Sequence, residues 1–224
     1  MRIQRWLWSA GLLAVVGLGA GCAHDEAKQA HSRGEQVGET LAQKVRFADQ
    51  LSLINQQQIA LGHLALEKST DPEVRSFAQE LIRDHEKNQD DLKTLAESKA
   101  FSLAVVDLSM EDLAIGGAGT EGAGTEGAME GIEKGKEKYN KKYDKQVMKF
   151  LEKKNELSAL SGHEFDKGFL DQVKDGQDRG KELIEEGLDE YRDDTSLAMF
   201  LNKTAPVLSG HLQRASTLEG YIGN

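Results

Sequence analysis

The sequence predicts an all-α protein built from four long helices in two antiparallel pairs, with one long crossover between the second and third. Apolar residues recur at spacings of three and four through four separate segments, which marks one buried face on each helix. No segment alternates with period two for long enough to suggest a sheet. A glycine-rich stretch with its own internal repeat divides the four segments two and two.

The chain begins with Arg2 and Arg5, an apolar run from Trp6 to Ala20, and then Gly21-Cys22. A basic start, a short apolar stretch and small residues before the cut describe a secretory leader over residues 1–21. The run is shorter than the roughly 20 residues a membrane-spanning helix needs. Cys22 is the only cysteine, and Leu18-Gly19-Ala20-Gly21 before it resembles a bacterial lipobox, which implies that Cys22 is lipidated. An acyl chain also accounts for a lone thiol in an exported protein. Ala23 in place of aspartate then points to the outer membrane, facing the periplasm. Loss of Arg2 and Arg5 with the leader leaves 26 basic residues against 38 acidic ones, a charge of −12. So large an excess of acid over the Lys and Arg that would neutralise phosphates argues against a nucleic acid partner.

Residues 22–43 are polar, with Gly34 and Gly38, and suit a flexible tether between the lipidated cysteine and the domain at 44–222. The first helix, 44–69, carries Phe47, Leu51, Ile54, Gln58, Leu61 and Ala65 on one face. Asp71-Pro72-Glu73 supplies a cap, a first-turn proline and a dipole-matched acid for the second helix, which runs to about Lys99. So short a connection makes helices one and two antiparallel neighbours. The low-complexity insert, 115–145, holds two overlapping glycine signatures, Gly117 to Gly122 and Gly122 to Gly127. Neither follows a strand, so the context for a dinucleotide is missing and the segment reads as a duplicated linker. Its charged flank suits a solvent-exposed helix ending in Val147, Phe150, Leu151 and Leu157. A third long helix carries Phe165, Phe169, Val173, Gly176, Gly180, Ile184 and Tyr191. Asp193-Asp194-Thr195 caps the fourth, about 196–222, where Pro206 is expected to kink the axis. Two helix pairs with a long crossover form the ferritin-like arrangement.

Two histidines interrupt the apolar faces. His85 follows Val74, Phe77, Ala78 and Leu81, and His211 follows Leu201, Thr204 and Leu208. Gln58 lies 12 residues before the turn near residue 70 and His85 lies 15 after it, an offset of about 4.5 Å along the axis. Around the turn near residue 193, Gly176 and His211 are almost level, 17 before and 18 after. Ferritin-like metal sites are built at such a mid-height layer from inward Glu and His on all four helices. A buried histidine there must be hydrogen-bonded, liganded to a metal, or left at the edge of the core.

The segments Ile59 to Ala65, Phe77 to His85, Phe165 to Leu170 and Leu208 to Leu212 resemble those of the domain of unknown function 4142 family, over about 45–100 and 150–222. Asp84-His85 and Phe165-Asp166 are the most specific parts. The resemblance implies a ferritin-like bacterial envelope protein with an acidic residue where Gln58 stands and a histidine where Gly176 stands. Those departures remove ligands: an amide is a poor one and glycine offers none. Two imidazoles fall short of the three protein ligands usual at a catalytic zinc, so Asp84, Glu67 and Asp175 stand as the carboxylates that could complete a set with His85 and His211. The expectation is a non-catalytic binding or envelope-associated lipoprotein, held to the membrane through Cys22 and facing an unidentified envelope protein. The rival is a metal-binding oxidoreductase or storage module holding iron or zinc at His85 and His211. No nucleophile elbow, zinc-protease helix or Cys-His pairing carries hydrolase chemistry.

Overall fold

The computed structural model describes residues 22–106, 108, 115–116 and 126–222, with side chains described for 31–104, 106, 108 and 139–222. The leader reading at 1–21 and most of the glycine repeat therefore lie outside the described residues. Among the described residues there are five helices: α1 (Cys22–Lys68), α2 (Pro72–Ser98), α3 (Glu126–Ser158), α4 (Gly162–Glu190) and α5 (Thr195–Ile222). A two-residue antiparallel ladder, β1 (Val105–Val106) with β2 (Ile115–Gly116), lies in the crossover. The all-α expectation holds, and the helix expected in the charged flank of the insert, α3, is the fifth.

The first difference is at the start. Residues 22–43, expected as a flexible tether, continue α1 without a break. No proline stands between Cys22 and Lys68, and an isolated glycine costs a helix only about 1 kcal/mol relative to alanine. Gly38 and Ala42 are moreover buried, so packing supports what propensity alone leaves marginal.

The second difference is α3. The charged flank is helical from Glu126, but the helix is not simply solvent-exposed: Tyr143, Val147, Phe150 and Leu157 are buried, and α3 packs chiefly along α1. With α3 on one side and α2 and α4 on the other, α1 is nearly continuously buried from Val45 to Gln58. That is why its sequence lacks a clean stripe. Gln56 and Asp49 of α1 also hold the chain after α2. Asp49 accepts the Ala104 amide at 2.7 Å, and Gln56 accepts the Val106 amide at 3.0 Å.

The capping signals work as read. Asp71 accepts the amides of Glu73 and Val74 at 2.8 and 3.0 Å. Asp194 accepts the Leu197 amide at 3.3 Å and also binds Lys44 and Lys99, at 2.9 and 2.8 Å, tying α1 and the end of α2 to the start of α5. Beyond α2, Ala100 takes a left-handed conformation with φ 59°, so that Ala100 and Phe101 return their amides to Glu97 and Ala96. α5 runs through Pro206 as one helix.

α1, α2, α5 and α4 pack in a ring, each against the next, with α1 also against α4. Two apolar clusters fill the ring. One joins Leu61, Phe77, Leu81, Phe165, Phe169 and Leu218, and the other joins Phe47, Leu51, Leu92, Ile184, Leu201 and Leu208. Polar side chains from all four helices lie among them.

Candidate functional site

The polar layer starts from a backbone carbonyl. The Thr204 hydroxyl donates to the carbonyl of Phe200 at 3.0 Å, so its oxygen is left to accept from the Asn88 amide at 2.6 Å. Asn88 then presents its oxygen to the Asn55 amide at 2.9 Å, and Asn55 presents its oxygen to Nδ1 of His85 at 2.8 Å. An oxygen opposite Nδ1 requires Nδ1 to carry the proton. Nε2 of His85 is consequently an acceptor, and it receives the Gln177 amide at 2.9 Å. The same amide group donates to Gln58 at 3.1 Å. One fixed carbonyl thus sets the direction of every bond in the chain and fixes the tautomer of His85.

Asn55, Gln58, His85, Gln177 and Thr204 are each at most 3 % exposed. Burial, followed by the neighbouring His211, pulls the His85 imidazole down to about 3 from its ordinary 6.5, so it is neutral. With one nitrogen donating and the other accepting, His85 has no lone pair left for a metal.

Gly176 belongs to this layer by what it leaves out. A Cβ built there would stand 1.9 Å from Nε2 of Gln58. The Gln58 side chain therefore occupies the space that a residue at 176 would use. Positions 58 and 176 are thus coupled in physical terms: the Gln58 amide crosses the core only because residue 176 has no side chain. Gln58 also forms the inner wall of a polar groove of about 470 Å³ between α3 and α4.

His211 is different. Its ring lies 5.3 Å from that of His85, tilted by 36°, and edge-on to Phe77 at 6.1 Å. Nε2 donates to Asp84 at 3.2 Å, while Nδ1 is buried without a partner. Desolvation lowers its pKa against the opposing pull of the Asp84 carboxylate. Glu80, one turn before Asp84 on α2, completes a group whose potential ligand atoms lie within 4.8 Å of one another, so Glu80, Asp84 and His211 could hold a metal ion. Arg83 pairs with Asp84 at 3.0 Å, and Arg214 approaches Glu80 at 3.6 Å.

The predicted histidines and Asp84 are therefore brought together, as neighbours rather than as one ligand set. Glu67 is exposed near the end of α1 and stands apart from the cluster, because its position two residues past Ala65 turns it to solvent. Asp175 is drawn outward to Lys153 at 3.1 Å. His63 is exposed, and His163, also exposed, bonds the carbonyl of Ile222 at 2.7 Å. Sequence reasoning missed Asn55, Asn88, Gln177 and Glu80. The run Asn55-Gln56-Gln57-Gln58 carried a signal, since four consecutive amides span every face of a helix and cannot all reach water. Gln177 is four residues after Val173, on the stripe itself, beside Gly176. Glu80 is four before Asp84.

Among the described residues, no helix is long and apolar enough to cross a membrane. No curated protein and no solved structure matches the chain significantly. One family model does: that of the Domain of unknown function (DUF4142), over residues 27–218. The match includes the helical start of α1 and the crossover, beyond the two blocks that carry the resemblance in the sequence. A match over residues 27–218 covers most of the chain, and the chain belongs to the DUF4142 family.

Proposed function

We propose that the protein is an envelope lipoprotein whose ferritin-like helical domain acts by association rather than catalysis, tethered to the outer membrane through an acylated Cys22. The observation that carries the non-catalytic reading is the saturation of His85: both ring nitrogens are bound by side-chain amides, which leaves the imidazole no free position for a metal or a substrate. The ring of α1, α2, α5 and α4, with its long connection, supports the ferritin-like assignment. Helix α1 gives the tether a form. At 1.5 Å per residue, the stretch from Cys22 to Val37, ahead of the buried Gly38, is a helix of roughly 24 Å, which would hold the body off the leaflet.

Fractionation tests the anchor. Cys22→Ala is expected to move the protein from the membrane to the soluble periplasmic fraction; a variant that stays with the membrane refutes lipidation. Crosslinking in intact envelopes identifies the partner on which the association reading depends. A second reading, a module that holds iron or zinc, is favoured by one observation, the Glu80–Asp84–His211 group. Metal content after purification without chelator tests it, and near-stoichiometric iron or zinc lost on His85→Gln would return His85 to the site.

A further inference from the structure

Helices α2 and α5 face each other as a ladder of acids against bases. Glu73 meets Arg214 at 3.5 Å, Glu80 meets Arg214 at 3.6 Å, Asp84 meets His211 at 3.2 Å, and Asp91 meets Lys203 at 2.6 Å. Every rung but one opposes a carboxylate with a permanent cation. At Asp84 the opposing group is a buried imidazole, and at Glu80 the cation is loosely held. Arg214 divides itself between two glutamates, and its buried Nε makes no hydrogen bond.

We propose that this seam is a mononuclear site for a divalent first-row metal ion, ligated by one carboxylate oxygen each of Glu80 and Asp84 and by the His211 imidazole, with water completing the shell. The proposal rests on the metal-holding reading above and replaces its ligands: His85 and Glu67 are left out. Four observations carry it. The three potential ligand atoms already lie within 4.8 Å of one another, a span that small side-chain movements close around a central ion. Glu80 and Asp84 are one turn apart on α2, the spacing that puts two side chains on one face. His211 is 2 % exposed and its Nε2 already faces Asp84 at 3.2 Å, while the unpartnered Nδ1 is free to take the proton that Nε2 would give up to an ion. Both carboxylates keep contact with solvent, at 37 % and 27 % exposed, so an ion has a route in. Mixed imidazole and carboxylate donors suit zinc, iron, cobalt or manganese better than calcium.

Arg214 then acts as a built-in competitor. Its guanidinium occupies the charge position beside Glu80 that the ion would take, so binding must release it, and its removal should tighten binding.

Co²⁺ binding to the purified full chain, stripped with chelator, tests this by equilibrium dialysis and visible absorption. One ion per chain is expected, with Glu80→Gln and Asp84→Asn each weakening affinity by roughly tenfold or more and Arg214→Gln tightening it several-fold. Both acidic substitutions are conservative and partly exposed, so the fold survives them, which circular dichroism verifies. No saturable Co²⁺ binding, or affinity unchanged in both acidic variants, overturns the proposal. So does loss of binding in His85→Gln with Glu80→Gln unaffected. Either failure leaves the anchored, non-catalytic reading intact, because membrane release of Cys22→Ala is read separately.

Discussion

Two histidines whose rings are 5.3 Å apart have been put to opposite uses. His85 faces the interior, with both nitrogens bonded to amides whose orientations trace back to the Phe200 carbonyl. His211 faces a charged seam, with one nitrogen on a half-buried carboxylate and the other unbonded. Their burial is almost the same, 1 % and 2 % exposed. What separates them is bonding. A saturated polar group in a low-dielectric interior specifies structure, because losing any partner strands the rest. An unsaturated one retains capacity for something else.

The largest effect is expected at His85. His85→Leu keeps a similar volume but strands the Asn55 oxygen and one N–H of the Gln177 amide, whose other N–H stays on Gln58, each worth about 1–3 kcal/mol, for a loss of about 4 kcal/mol. Urea unfolding should show a lower midpoint at unchanged slope. A loss below about 1 kcal/mol would mean that the network relaxes freely and that the contrast is empty. Next is Gly176→Ala. Displacing Gln58 from its bonded position should cost about 1–3 kcal/mol, more than the roughly 1 kcal/mol that alanine returns to a helix. Gln58→Ala should relieve that cost in the double variant, and additive effects would show that the two positions do not share space.

A pH series sharpens the contrast further. His85 titrates near 6.5 when unfolded and near 3 when folded, so between those values the unfolded chain binds the extra proton. Stability should fall on acidification from about 6.5 toward 3, and His211, also lowered, adds in the same direction. Asp49 opposes them. Burial raises its carboxyl from 3.8 to about 6, so the folded state binds its proton first and gains stability as pH falls through that window. His85→Leu should therefore flatten or reverse the acid slope between pH 6 and 4. A slope identical to the parent's would place the titration elsewhere.

How much of this was legible follows from the same contrast. Both histidines showed as misfits in apolar stripes because a helical period exposes any polar residue on the buried face. Caps at Asp71 and Asp194 were legible because they act within three residues. The partners of His85 were not, since Asn55 and Gln177 come from helices 30 and 92 residues away and only packing decides which amide meets which ring nitrogen. The helical form of residues 22–43 is not legible in composition, which cannot show that Gly38 and Ala42 are buried. The burial of α3 is hidden in the sequence because its charges outnumber its apolar residues, and the buried Tyr143, Val147, Phe150 and Leu157 are sparse among them.

The smallest expected effect is the most telling. In metal-free buffer, His211→Leu should cost under about 1 kcal/mol, or even stabilise, because an unpartnered buried nitrogen already carries its desolvation penalty in the parent. Asp84 is not stranded by the change, since it remains 27 % exposed and keeps Arg83 at 3.0 Å. Leucine also retains the packing that the ring makes near Phe77. Adding Zn²⁺ should then divide the two proteins. Ligand that binds only the folded state stabilises it in proportion to its saturation, so the parent's melting temperature should rise and that of His211→Leu should stay still. A loss at His211 as large as that at His85 would show instead that both histidines serve the interior alone. Equal zinc responses in parent and variant would say that the ion, if it binds, does so elsewhere.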